Sequence, residues 1–369
     1  MIRVLHVIKG LDAGGAETLL LLATASRDRS TFDYEVAHLL RTHVALRPAI
    51  EAEDIRVHDL RGLPGWDPRW VLRLRRLLAQ GRFDVVHAHS PLVAAAVRLA
   101  ARSFPAARRP AVVVTLHNVW ASHHVAVRAL DRLTAPLDDA RLAVSEAVRR
   151  SVPGTASARV ITEVHGVDVD AVRARADRDG VRAELGVAPD EVLVGAVANL
   201  KPHKAYDVLL TAAARAVAHD DRVRFVAVGQ GPLHDELVAE RDRLGLGDRF
   251  RFLGYRADAT RLVSGFDVFC LSSRHEGLPL ALMEALVQGV PAVVTDVGGN
   301  RELVTDGVEG RLVPASRPEA LADALRSLAD EPGDRAMMAA AARRRGDGLR
   351  ADDATARVEG HYRRVLAGR

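Results

Sequence analysis

Glu276-Gly277-Leu278-Pro279-Leu280-Ala281-Leu282-Met283-Glu284 lies between the apolar run Phe266 to Leu271 and the turn at Gly289-Val290-Pro291. The run predicts a buried strand, Ser272 to Leu278 its loop, and Pro279 the first position of a helix, where a missing N–H leaves no bond unmade. One carboxylate is then on the loop and the other about a turn and a half into the helix. A helix start offers unpaired N–H groups and partial positive charge to a phosphate, and two acidic side chains beside it suit hydroxyls. The ligand implied carries both. Two glutamates eight apart also occur on solvated helices; what sets this pair apart is the loop after a strand, followed by Thr295-Asp296-Val297-Gly298-Gly299 after the next strand.

Working outward, apolar runs alternate with amphipathic stretches along most of the chain. Val4 to Ile8, Tyr34 to Leu40, Ile55 to Leu60, Asp84 to His87, Val112 to Leu116 and Arg141 to Val144 read as strands of a first α/β series. Val192 to Val197, Arg224 to Val228, Phe250 to Leu253, Val268 to Leu271, Ala292 to Val294 and Gly310 to Val313 form a second. Helical patterns close the chain at 318–330, 334–345 and 352–366. The length of 369 residues suits two domains, each able to bury its own core.

Composition narrows the class. Apolar content of 48% with 27% charged residues is that of globular proteins, and a net charge of +4 is too small for this size to argue nucleic-acid binding. The one cysteine, Cys270, sits within an apolar strand and reads as a core residue, so no disulfide framework is expected. No signal-peptide pattern precedes the first strand and no run is long enough to span a bilayer, so a cytoplasmic protein is expected. Of 52 basic residues only Lys9, Lys201 and Lys204 are lysine, a bias that makes each lysine a candidate for a compact point charge. The stretch 67–82 places Trp70, Val71, Leu74, Leu77 and Leu78 at helical spacing among Arg69, Arg73, Arg75 and Arg76. It reads as a surface helix packed on the core, with weak peripheral membrane contact as the second reading.

The Glu276 to Glu284 motif, together with the loop Gly14-Gly15-Ala16-Glu17 after the first strand, resembles the retaining glycosyltransferases of family 4. The resemblance runs from that loop to about Pro314. It implies the GT-B architecture, α/β with two Rossmann-like domains whose parallel sheets face across a cleft: 1–164 binding the acceptor, 165–350 binding a nucleotide sugar, and 351–369 as a helix returning to the first domain. By the resemblance Glu276 contacts the donor sugar and Glu284 the nucleotide ribose. Gly277, Leu278 and Pro279 would frame the donor at the helix start, and Gly14 and Gly15 would approach its phosphates, although a tight turn alone would also explain them. His117, just beyond a strand, would face the transferred sugar. His87, His89 and Asn118 would line the acceptor site.

In Asn199-Leu200-Lys201-Pro202-His203-Lys204 the family usually has arginine first and lysine last, both on the diphosphate. Lys204 matches and Asn199 departs, leaving neutralisation to Lys204 with help from Lys201. Gly229 would lie near the nucleoside and Arg256 near the base. His117, Glu276 and Lys204 are thus the expected catalytic group. No metal and no cofactor are expected, because the family holds its diphosphate with cations and a helix terminus. Asp168-Val169-Asp170 looks like a metal clamp of another glycosyltransferase class, but its interdomain position favours helix capping. The resemblance implies retaining transfer of a hexosyl unit from a UDP- or GDP-linked sugar to a small-molecule, glycan or lipid-linked acceptor. A nucleotide-sugar epimerase, a sugar phosphorylase or a catalytically silent sugar-nucleotide-binding subunit would share the fold.

Overall fold

The computed structural model describes residues 1–12, 14–42, 44–62 and 69–369, so Ala13 and the start of the 67–82 stretch lie outside the described residues. Two compact units result, Met1–Gly166 with Ala351–Arg369, and Val167–Arg350. The first holds a sheet of β1 (Ile2–Ile8), β2 (Phe32–Leu40), β3 (Arg56–Gly62), β4 (Val85–Ala88), β5 (Ala111–Leu116), β6 (Ala140–Ala143) and β7 (Val160–Thr162), in the order β3-β2-β1-β4-β5-β6-β7. Every pairing is parallel. Its central strands are buried on both faces, which is why they read as unbroken apolar runs. The three-residue β7 was not foreseen, since only Val160 of it is buried.

The second unit holds β8 (Val192–Val197), β9 (Val223–Val228), β10 (Phe250–Gly254), β11 (Val268–Leu271), β12 (Ala292–Thr295) and β13 (Gly310–Val313), in the order β10-β9-β8-β11-β12-β13 and again all parallel. Cys270 is fully buried in β11, where burial pushes its thiol up to about 12 and leaves it unreactive. Where the chain enters and leaves this unit its two passages are joined, Val167 N–H donating to the Leu349 carbonyl at 2.8 Å. Asp168 caps the helix Val169–Ala174, its Oδ1 accepting from Ala171 N–H at 2.9 Å, and Asp170 pairs with Arg350 at 2.6 Å. The capping expectation therefore describes the local structure.

Two buried devices hold the first unit. Arg98, wholly buried on the helix Pro91–Arg102, forks onto Asp138 with two bonds of 2.6 Å and reaches Asp131 and Thr134 at 2.9 Å. Arg141 also pairs with Asp131, so one charged knot ties two helices to β6. Burial pushes the Asp138 carboxyl up to about 6 against the pull of Arg98. Such a knot resists removal of one member, because a buried charge is then left alone.

The second device is the closing helix Ala351–Ala367, which belongs to the first unit. Its Tyr362 is 0% exposed and packs edge-on against Phe32 and Tyr34. On the opposite side the helix Arg69–Gly81 buries Leu74 and Leu78. Arg73 donates to the Leu60 carbonyl at 2.9 Å and Arg75 to Ser103 Oγ at 2.9 Å, so these two arginines serve the protein itself. Among the described residues no helix is long and apolar enough to cross a membrane.

Tyr362→Ala should lower the stability of the first unit by about 3–5 kcal/mol, the usual loss for a buried aromatic. Tyr362→Phe, which removes only the hydroxyl, should cost about 1 kcal/mol. Urea unfolding followed by hydrogen exchange in β1 and β2 reports the first unit apart from the second; equal losses for the two variants would mean that ring packing is unimportant.

Candidate functional site

In an open parallel sheet, ligands bind outside the carboxyl ends of the strands where the strand order reverses. In the second unit that point lies between β8 and β11. The loops leaving these two strands carry Lys204 and Glu276, and Lys204 Nζ donates to Glu276 Oε1 at 2.6 Å. Both side chains are largely buried, at 17% and 7% exposure. Ser273 Oγ donates to the same oxygen at 2.5 Å. The loops are stitched to one another: Ser272 Oγ lies 3.0 Å from the carbonyls of Lys204 and Ala205, and Arg274 N–H donates to the His203 carbonyl at 2.7 Å.

The glycines after β12 brace the same loop. Gly298 has φ +55, and a Cβ there would come within 2.1 Å of the Glu276 carbonyl oxygen. Gly299 N–H donates to the Gly277 carbonyl at 2.9 Å, and Thr295 Oγ donates to the Ser273 carbonyl at 2.6 Å. The helix after the loop is Leu280–Gln288, with Pro279 at the capping position and not, as expected, inside the first turn. Its ψ of 117° is extended, so the helix begins one residue later. No side chain caps this terminus, and its first N–H groups have no intrahelical acceptor.

The other expected donor residues are placed separately. Glu284 accepts from Thr260 Oγ at 3.2 Å, and burial raises its carboxyl above the usual range against that bond. Asn199 and Lys201 are exposed on the β8 loop. Gly229 closes β9 at φ +148 with the Ala198 carbonyl so near that no side chain fits. Arg256 is engaged by Asp258 and Glu184, both at 2.8 Å, which ties it to neighbouring carboxylates.

In the first unit the strand order reverses between β1 and β4. His6 and His87 are register partners on these strands, and His89 follows β4. The sequence reading named His87 and His89 but missed His6, because only the register sets it beside them. His6 Nδ1 bonds His89 Nε2 at 3.0 Å, and His89 Nδ1 bonds His117 Nε2 at 3.2 Å. His165 stacks on His117 with ring centres 5.6 Å apart. His87 is committed on both ring nitrogens, to Tyr362 Oη at 2.5 Å and Thr115 Oγ at 2.7 Å. Its ring nitrogens are therefore not free for a ligand, although His87 lines, with His89, His117, His6, Glu163 and His165, a cavity of about 60 Å³. Asn118 is exposed beside it. Gly14 caps the helix Gly15–Ala25 that follows β1.

Burial without a carboxylate partner keeps these imidazoles neutral: His6 is lowered to about 3 and His117 to about 4. His87 and His89 are lowered by burial and then by the neighbouring imidazoles. One nitrogen from each of His6, His87 and His89 lies within 4.8 Å of the others, a spacing that could also hold a divalent cation.

Two family descriptions divide the chain between them: Glycosyltransferase Family 4 matches residues 2–171 and Glycosyl transferases group 1 matches 177–345. A D-inositol 3-phosphate glycosyltransferase of Kribbella flavida is 31% identical over 90% of this chain and 86% of its own length. The chain belongs to glycosyltransferase family 4. Its fold is the GT-B type of that family. Anabaena Alr3699/HepE in complex with UDP has a TM-score of 0.84 at 22% identity, covering 97% of this chain and 99% of its own. Sucrose-phosphate synthase of Thermosynechococcus elongatus gives 0.82 at 18% identity over the whole of both chains. For this glycosyltransferase the two loop pairs at the strand-order reversals are the places where family chemistry has to be sought.

The neutral histidines set a pH dependence. Unfolded histidine titrates near 6.5, so between there and about 4 the unfolded chain binds more protons than the folded one, and stability falls as pH falls. Asp138, raised to about 6, acts the opposite way below that pH, so the diagnostic is a difference. Thermal unfolding of His6→Gln should lose less stability than the parent between pH 7 and 4.5. A steeper loss in the variant would mean that His6 is protonated in the folded state.

Proposed function

We propose that this glycosyltransferase moves a hexosyl unit from a UDP-linked sugar to a small-molecule, glycan or lipid-linked acceptor, with retention of anomeric configuration and without a metal. The observation that carries the proposal is the Lys204–Glu276 pair beside the uncapped start of Leu280–Gln288. Without donor, each ion satisfies the other. When donor binds, the diphosphate takes the ammonium and the helix N–H groups, and the sugar hydroxyls take the carboxylate. Charge then grows on the leaving diphosphate as the glycosidic bond breaks, and groups already in place stabilise it without reorganisation. The UDP complex of Alr3699/HepE supports the choice of base.

In this reading 165–350 binds the nucleotide sugar through Lys201, Gly229, Gly277, Leu278 and the Glu284 carboxylate on the ribose. The first domain presents the acceptor beside His89, His117 and Asn118. The leaving phosphate takes the acceptor proton on the same face. The reading is of a cytoplasmic enzyme; the engagement of Arg73 and Arg75 within the protein argues against the helix Arg69–Gly81 as a strong membrane anchor.

Purified protein should release UDP from a UDP-sugar in the presence of EDTA, and NMR of the first-formed product should show the donor's anomeric configuration. Inversion, or complete loss of activity that added metal restores, would refute the corresponding part. Lys204→Ala should lower kcat by roughly a hundred-fold to a thousand-fold, the range for one preorganised donor. Lys201→Ala should do less; an equal or larger effect would move the diphosphate contact to Lys201.

A further inference from the structure

The imidazoles of the first unit form a directed chain. In a neutral imidazole one nitrogen carries the proton and the other accepts, so the two bonds His6–His89 and His89–His117 can run in only two concerted ways. If protons point from His117 inward, His6 must carry its own on Nε2. That atom is buried and has no partner, so an N–H there would be orphaned. If protons point outward, the orphan is a bare lone pair, and buried unpaired acceptors are better tolerated than buried unpaired N–H groups. The outward sense leaves His117 with its proton on Nδ1 and its Nε2 occupied by His89. Among the described residues Nδ1 makes no hydrogen bond, and His117 borders the cavity.

We infer that His6 and His89 are positioning residues that hold His117 as a fixed Nδ1–H donor, with no free lone pair for accepting a proton. The surroundings keep the chain in this state. His87 stacks on His89 at 4.4 Å but is held off the chain by Tyr362 and Thr115. Tyr34 packs on His6 at 4.7 Å, Tyr362 lies 6.5 Å from it, and His165 covers His117. The acid that lines the cavity, Glu163, is taken up by His361 at 2.6 Å and Arg357 at 3.1 Å. His117 then stabilises a hydroxyl or developing charge as a neutral donor and does not act as a base, which fits same-face transfer. That last step rests on the proposed function; the tautomer does not.

The test is two-bond proton–nitrogen correlation NMR of histidine-labelled protein. The expected result is His117 protonated on Nδ1 only, unchanged between pH 6 and 8. His89→Leu should give a mixture of tautomers and lower kcat by about tenfold or more, the rate equivalent of one lost hydrogen bond. His89→Gln should restore much of the loss, because its amide both accepts and donates. A proton on His117 Nε2 overturns the inference, as does unchanged kcat in His89→Leu. So does one zinc ion per chain that is lost in His6→Gln, since the lone pairs would then face a metal. If no glycosyl transfer is found at all, the proposed function fails while the NMR result still decides the chain.

Discussion

The first unit depends on a tyrosine that the chain supplies last. Tyr362 reaches the base of the sheet only after the whole second unit has been made, and there it fills the space between Phe32 and Tyr34 and bonds His87. Its hydroxyl would be costly to bury without a partner, and His87 would be costly to bury with an idle nitrogen; each satisfies the other. With His87 fixed below, His89 stacks above it, and the row toward His117 follows. A helix far along the sequence thus orders side chains that the first strands could not order alone.

Both units obey one topological rule with opposite chemistry. At the reversal of the second sheet the loops bring a cation and an anion together, and at the reversal of the first they bring neutral rings. The difference follows from what else is buried nearby. Lys204 and Glu276 pair with one another at 2.6 Å. The histidines have no carboxylate within bonding distance among the described residues, so burial keeps them neutral, each with a single ring proton. A ligand bearing phosphate has charge to exchange with the first arrangement and none to exchange with the second.

Much of this was legible in the sequence. Strands buried on both faces announce themselves as apolar runs, and the loops that follow them mark the ligand edge, on which the family resemblance then singled out Lys204, Glu276 and His117. What escaped was whatever depends on register or on short elements. His6 sits in a strand that was recognised, yet its neighbours are set by the pairing of β1 with β4. Ser273 lies inside the expected loop, but that its hydroxyl would fall on Glu276 needed the fold of the loop. Pro279 was displaced by one residue because a proline fixes φ and leaves ψ free, and here ψ is extended. Arg256 was placed by resemblance near the base; one of its carboxylate partners, Asp258, is two residues on, but the other, Glu184, comes from a segment that sequence order keeps apart.

In the proposed function, the ion pair of the second unit also explains how a charged site can wait for its ligand. A lysine and a glutamate with little exposure would each suffer if left alone, so removing either side chain strands the other in a poorly solvated place. The glycines at 298 and 299 and the hydroxyls of Ser273 and Thr295 prevent the loops from relaxing to hydrate a stranded charge. In the proposed function, loops held this firmly would lose little entropy when donor displaces one half of the pair. The arrangement therefore spends its constraint on the unliganded protein, and a substitution at either partner should be judged by its effect on folding as well as on turnover.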